Sequence, residues 1–337
     1  MNFNGYTPIQ MNRLSLKLKP IFIGQLITVS TLKHPAFHYN HDHFEMAMKP
    51  STGITHNFIS QFAQQNSSQI FVHEEDFKEI HQNIKTELTK LTRSLSVGDP
   101  KRNAIKHTNL LSMQLENVYK DPFNDELLTN QFQSSKNLGS LLLNNKDIQK
   151  DLFHNIRKSN YHYTLTQPLL SSVLLLSFIQ SLKIFTEKEI EALFLTSYFK
   201  DIGMSFIPRE KFELAHLNDF DKHLFSNHAQ NSMQILDGRL PFNSSQLNLI
   251  QNHHFLNYKI QSLAAGIKPT AEPEMITGVE SVLLSSLDVL VAMTSKRPYR
   301  DAVSSFKALE LLKGVVSDEF PHEFRALVMF IKKFNSK

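Results

Sequence analysis

The sequence predicts an α+β protein: a small β-rich N-terminal domain over residues 1–80, then an all-α helical bundle over 150–337. Residues 81–149 read as helical, either linking the two or supplying the first helices of the bundle. Three observations lead there. Leu14-Ser15-Leu16-Lys17-Leu18-Lys19 alternates apolar and polar residues at period two, as a half-buried strand does. Phe77, Ile80, Ile84, Leu88 and Leu91 recur at helical spacing. From about residue 150 onward, apolar residues keep helical intervals, punctuated by capping residues, Gly and Pro.

In the N-terminal part, Ile21–Val29 and Gln69-Ile70-Phe71-Val72 are further strand candidates, and Asn57–Gln64 fits a short helix. His34, His38, His41 and His43, with Asp42, form a His-rich tract that reads as a solvated loop ahead of a metal site. A helix is expected from Glu74 to about Leu95, broken by Ser96-Val97-Gly98-Asp99-Pro100. Polar helices follow through Leu143.

In the bundle, Pro168–Ile184 is apolar but interrupted by Ser171, Ser172, Ser177, Gln180 and Ser181. It falls short of the ~20 apolar residues of a membrane span and reads as a buried core helix. Thr186 with Glu189 is a capping box, in which hydroxyl and carboxylate each satisfy an exposed backbone N–H. Ile190, Leu193, Phe194 and Ser197 then line one face, and Gly203 is read as the end of that helix, with Pro208 blocking its resumption. Asp219 or Asn218 caps a helix carrying Leu224, His228 and Ile235, ending at Gly238. Ser244 or Ser245 opens another that carries His253 and His254. Glu280–Ser295 is strongly apolar and holds Asp288.

Bulk composition bounds the function. The 337 residues suffice for two cores, and 41% hydrophobic with 20% charged residues is ordinary for a soluble protein. Cysteine is absent, which excludes disulfides and thiolate metal sites and agrees with a reducing compartment. Met1-Asn2-Phe3-Asn4-Gly5 lacks the charged-then-apolar pattern of a signal peptide, so the expected location is cytoplasmic, without a membrane. A net charge of +4 with well-mixed signs suits an anionic ligand, and no nucleic-acid partner is expected. No Ser/His/Asp motif or phosphate-cradling glycine loop stands out.

Asp288 is the only charged side chain between Glu280 and Lys296. A buried carboxylate costs several kcal/mol unless a cation, a metal or a proton compensates it, so a Lys or Arg partner is the plain alternative to a metal. Asp201 sits at a helix C-terminus, where a carboxylate opposes the macrodipole and Lys200 can compensate it. His253 and His254 are adjacent, and neighbours on a helix point ~100° apart, so both reach one centre only if it lies between them. Together His162, Asp201, His228, His253, His254 and Asp288 make an N/O donor set suited to Fe, Mn, Zn or Ni.

At this point the chain resembles the HD-GYP family, a branch of the HD phosphohydrolase superfamily of bacterial signalling proteins. The resemblance covers roughly residues 150–320 and makes 150–337 an HD-GYP-like, HD-type all-α domain. It rests on Asp201-Ile202-Gly203 with Ile207-Pro208, on His228 with Ile235-Leu236, on His253-His254, and on Asp288-Val289 followed by Arg297-Pro298-Tyr299-Arg300. It implies a metal-dependent cyclic-di-GMP phosphodiesterase site. His162 would be the first ligand, Asp201 the metal-bridging catalytic aspartate, and His228, His253 and His254 the holders of a second metal. Asp288 would close the first site, and Arg297 and Arg300 would bind the phosphate backbone, which guanidinium forks suit.

Departures from the family pattern are concentrated at this site. Lys200 stands where the histidine of the HD pair belongs, Met204 replaces a lysine, Phe255 a glutamate and Val291 an aspartate. The Gly-Tyr-Pro loop has no clear equivalent in 257–274. An ammonium has no lone pair and repels a dication, so Lys200 is expected to bridge Asp201 and Asp288 in place of the first ion, leaving one divalent metal rather than two. The expected function is a degenerate signalling protein that binds cyclic-di-GMP, a related nucleotide or a protein partner. The alternatives are an active phosphodiesterase with an altered metal site and a purely structural scaffold.

Overall fold

The computed structural model describes residues 17–40, 43–65, 69–159, 161–264 and 278–336. The α+β expectation holds: a four-stranded antiparallel sheet precedes a helical region. The chain divides into two compact units, one of residues 1–90 with 159–162 and one of 91–158 with 163–337. The stretch 91–149 therefore packs with the bundle.

In the first unit, β1 (Leu18–Phe22), β2 (Ala36–Asn40), β3 (His43–Met48) and β4 (Gln69–His73) form a sheet in the order β1-β4-β2-β3. Ile21 pairs with Ile70, and Phe37 of β2 lies opposite Phe71. Ile21, Phe37, Ile70 and Val72 are buried. The helices α1 (His56–Gln65) and α2 (Glu74–Arg93) occur where the sequence indicates helix.

Two expectations fail in this unit. Only Ile21 and Phe22 of the stretch 21–29 are strand; Ile23–Thr28 is a 3-10 helix. The buried Gln25 side chain accepts the Phe22 N–H on Oε1 at 3.1 Å, turning the chain where a strand would have continued. The His-rich tract is only partly loop: His34 lies in a bend, but His38 lies in β2 and His43 opens β3, with His38 registered against Glu45 and paired to it at 3.2 Å. The signal was missed because histidine contributes nothing to an apolar alternation. His41 and Asp42 lie outside the described residues, as do Leu14–Leu16 of the first strand candidate.

The second unit is helical. It contains α3 (Pro100–Lys120), α4 (Asp125–Asn144), α5 (Lys146–Lys158), α6 (Tyr163–Leu182), α7 (Glu187–Phe199), α8 (Asp219–Ser226), α9 (His228–Leu236), α10 (Ser244–Gln251), α11 (Phe255–Ala264), α12 (Val279–Thr294), α13 (Ser305–Val316) and α14 (Pro321–Asn335). Helix α6 is the hub, packed on α3, α5, α7 and α12. Among the described residues it alone is long and apolar enough to cross a membrane, and 83% of its most apolar window is buried within the protein.

Local chemistry sets the helix ends. Asp99 accepts the Lys101 N–H at 3.0 Å and caps α3, with Pro100 at the first position, where its missing N–H costs nothing. The Thr186–Glu189 capping box opens α7 as expected. Asn218 caps α8, and α9 is a separate helix after a break at Asn227. Gly203 does not end α7, which stops at Phe199; it lies within a 3-10 turn, Ile202–Phe206. A Cβ at Gly203 would meet the His228 carbonyl at 2.1 Å and the Ser232 N at 2.4 Å. The glycine thus permits the backbone carrying Asp201 to touch the helix carrying His228.

Candidate metal centre and cavity

Five of the six expected metal ligands converge in the second unit. Asp201 follows α7, His228 is the first residue of α9, His253 and His254 form the turn between α10 and α11, and Asp288 lies in mid-α12. The two adjacent histidines are therefore not on a helix. The turn lets both rings face one point, with centroids 3.9 Å apart. His162 falls with the first unit, its ring stacked on Phe22 at 6.5 Å.

Asp201 is tied down by backbone as well as by charge. Pro168 in α6 has no N–H to give Thr164, and the freed Thr164 carbonyl accepts the Tyr119 hydroxyl at 3.3 Å. That hydroxyl also lies 3.4 Å from the Asp201 carbonyl. On the other side, Ser232 in α9 donates to the Lys200 carbonyl at 2.7 Å and accepts the Gly203 N–H at 2.9 Å.

Lys200 is 1% exposed. Its ammonium contacts Asp201 Oδ2 and lies 2.7 Å from Asp288 Oδ1. Burial alone would lower the lysine pKa, but the two carboxylates outweigh it and raise it. Asp201 shows the mirror effect: burial pushes it up, while Lys200 and then His228 and His253 hold it well below the usual carboxylate range. Asp288 also accepts from Gln167 Nε2 at 3.1 Å and Ser171 Oγ at 3.4 Å.

The opposite face of Asp201 meets the imidazoles. His228 Nδ1 lies 2.6 Å from the Phe225 carbonyl, and His253 Nδ1 lies 2.6 Å from the Ile250 carbonyl. A carbonyl only accepts, so each Nδ1 carries its hydrogen and Nε2 is the atom each ring turns to the centre, free to ligate when the ring is neutral. Those two Nε2 atoms are 3.2 Å apart, and each is 3.2 Å from Asp201 Oδ1. His254 Nε2 is 3.0 Å from His228 Nε2. Ligand atoms around a tetrahedral zinc with bonds of ~2.0–2.1 Å stand ~3.3 Å apart, so this spacing fits one ion.

Lone pairs facing one another and a carboxylate repel unless a cation lies between them. On His253 and His254 a proton is disfavoured. Burial, the largest influence, lowers the His253 pKa, and burial with the neighbouring His253 and His228 puts His254 well below the ordinary histidine value. His228, His253 and His254 can therefore hold a metal, with Asp201 Oδ1 as a fourth donor. The charges agree: Lys200 neutralises one of two carboxylates, leaving a single negative charge beside the imidazoles.

A cavity of about 620 Å³ opens on the centre, lined by Asp201, His228, His254 and Asp288 together with Arg297 and Arg300. Arg297 stacks over the Tyr163 ring at 4.2 Å and donates to Gln167 Oε1 at 2.9 Å. Arg300 donates to the Ala292 carbonyl at 2.7 Å. Met204 and Phe225 supply apolar wall, and the part of 257–274 beyond Ala264 lies outside the described residues.

Gln167 and Ser171 were missed as site residues. Their i, i+4 spacing on a helix of mainly apolar residues was the available signal, weakened by the other buried Ser and Thr of the same helix.

Compared with known proteins, no protein-family model and no curated protein matches the sequence. Among solved structures, the chain is similar to Bd1817, an HDG"Y"P protein from Bdellovibrio bacteriovorus. The TM-score is 0.63 at 15% identity, over 94% of this chain and 99% of that one. The two share a fold across nearly their whole lengths, as the family resemblance read from residues 150–320 implied for the bundle.

Proposed function

We propose that this chain is a divergent HD-GYP-type bacterial signalling protein of the cytoplasm, related to cyclic-di-GMP phosphodiesterases, in which catalysis is lost or very weak. Its bundle acts as a binding module that holds one divalent ion, Fe, Mn, Zn or Ni, on His228, His253, His254 and Asp201, with a nucleotide or protein as partner. The observation that carries this reading is the Lys200 ammonium set between Asp201 and Asp288. It stands where a first ion would need those carboxylates. Two-metal hydrolysis uses both ions, one to generate the nucleophile and both to offset phosphoryl charge. An ammonium offsets charge but cannot activate water.

The arginine-lined cavity supports an anionic ligand such as cyclic-di-GMP or a related nucleotide. The same feature, with the intact imidazole cluster, favours the second reading of a one-metal phosphodiesterase. Metal analysis of the purified protein, calorimetry with cyclic-di-GMP and a turnover assay with Mn²⁺ or Fe²⁺ separate them. One bound ion and nucleotide binding without hydrolysis is the expected result. Robust hydrolysis would establish the enzyme, and neither metal nor nucleotide would leave a scaffold.

A further inference from the structure

We infer a second, separate metal site in the N-terminal unit, formed by His34, His73 and Glu75, that takes a borderline divalent cation such as Zn²⁺. Their donor atoms lie within 4.8 Å of one another. None of the three belongs to the bundle centre, and only His34 comes from the His-rich tract.

The positioning is specific. Asp76, 3% exposed, accepts the backbone N–H of Lys33 at 2.8 Å and of His34 at 3.1 Å, which ties the segment before β2 to the first turn of α2. The same carboxylate lies 3.0 Å from His34 Nδ1. A carboxylate accepts, so Nδ1 carries the hydrogen and Nε2 is the ring atom turned away from Asp76, the one a metal would take. A carboxylate that fixes the tautomer of a histidine in this way is the usual support of a metal-bound imidazole. His34 Nε2 points toward Glu75 Oε2, 3.9 Å away.

His73, at the end of β4, is buried and stacks on His34 with centroids 3.9 Å apart. Burial, then the neighbouring His34, lowers its pKa. Its Nδ1 meets the Glu75 N–H at a long 3.4 Å, a contact easily exchanged for a stronger one. Glu75 is 67% exposed at its side chain and free to swing in. Glu75 at a helix N-terminus also has a plain electrostatic reason to be acidic, and Asp76 a plain role in holding the backbone of Lys33 and His34. Neither explains an oriented His34 ring stacked on a second imidazole beside a carboxylate. Two nitrogens and one carboxylate oxygen leave a coordination position open to solvent, as in exchangeable zinc sites.

The test uses the full chain with Zn²⁺ alone. Equilibrium dialysis with elemental analysis counts bound zinc in the wild type, in Glu75→Ala and in the double variant His34→Gln/Glu75→Ala. Both positions are exposed enough to change without unfolding the unit, and far-UV circular dichroism checks this. The double variant is expected to bind one equivalent less than wild type, and Glu75→Ala to bind that equivalent at least tenfold more weakly. Equal zinc content and affinity in all three proteins would overturn the site. The readout is a difference, so it stands whether or not the bundle centre binds metal.

Discussion

Lys200 Nζ lies 2.7 Å from Asp288 Oδ1, joining α12 to the end of α7 through a charge that is 1% exposed. Removing one partner of a buried pair strands the other. Lys200→Met is expected to destabilise the protein by about 3–5 kcal/mol near neutral pH, because both carboxylates then stay buried without their cation. Urea unfolding at pH 7 measures this, and a loss below about 1 kcal/mol would show the pair to be largely solvated.

Lys200→His tests the same position chemically. An imidazole there supplies a donor in place of a charge, so bound metal in the presence of excess Mn²⁺ is expected to rise from one equivalent toward two. Elemental analysis of the dialysed protein reads the change. Unchanged content would mean that Asp201 and Asp288 do not outline an ion site.

Gly203→Ala is expected to be damaging out of proportion to its size. The added Cβ would meet backbone atoms of α9 at 2.1 Å and 2.4 Å, which no rotamer can relieve. A loss of at least ~1–3 kcal/mol is expected from such overpacking. The shift would fall on His228, so the variant should also lose metal affinity at the bundle centre. A melting temperature within a degree of wild type would contradict this account.

His107 gives an acid-side stability slope that is independent of the metal centre. It is 0% exposed, and burial lowers its pKa to about 4 from 6.5. The unfolded chain therefore binds a proton that the folded one refuses between those values, and stability falls as pH drops through that window. The integrated loss is about 3 kcal/mol. His107→Gln is expected to flatten the stability–pH curve between pH 6.5 and 4, measured by urea midpoints at several pH values; an unchanged slope would refute it. Asp201 acts only lower, since a depressed carboxylate pKa gives stability that is lost as pH falls below the ordinary Asp value.

Arg297 is held by Tyr163 below and Gln167 beside it. Arg297→Ala is expected to weaken cyclic-di-GMP binding by at least tenfold with metal content unchanged. Arg297→Lys should not restore it, because lysine keeps the charge but loses the planar fork and the ring stack. Calorimetry on metal-loaded protein decides; equal affinity in all three proteins would remove Arg297 from the ligand site.

The order of elements was legible in the sequence wherever local rules suffice. The Thr186–Glu189 and Asn218 caps and the helical apolar spacing act over a few residues, and the helices they mark are present. The sequence also exposed Asp288 and the Lys200-Asp201 pair, because a charge inside an apolar run is a conflict visible without coordinates. How those conflicts are resolved depends on packing between distant elements. Which cation meets Asp288, whether His253 and His254 face one point, and why Gly203 must be glycine are distances between elements remote in sequence. The His34–His73 stack and the burial of Gln167 beside Asp288 are of the same kind. Local propensity carries no information on such separations; they are fixed by packing, where one ångström separates a shared ligand sphere from two unrelated side chains.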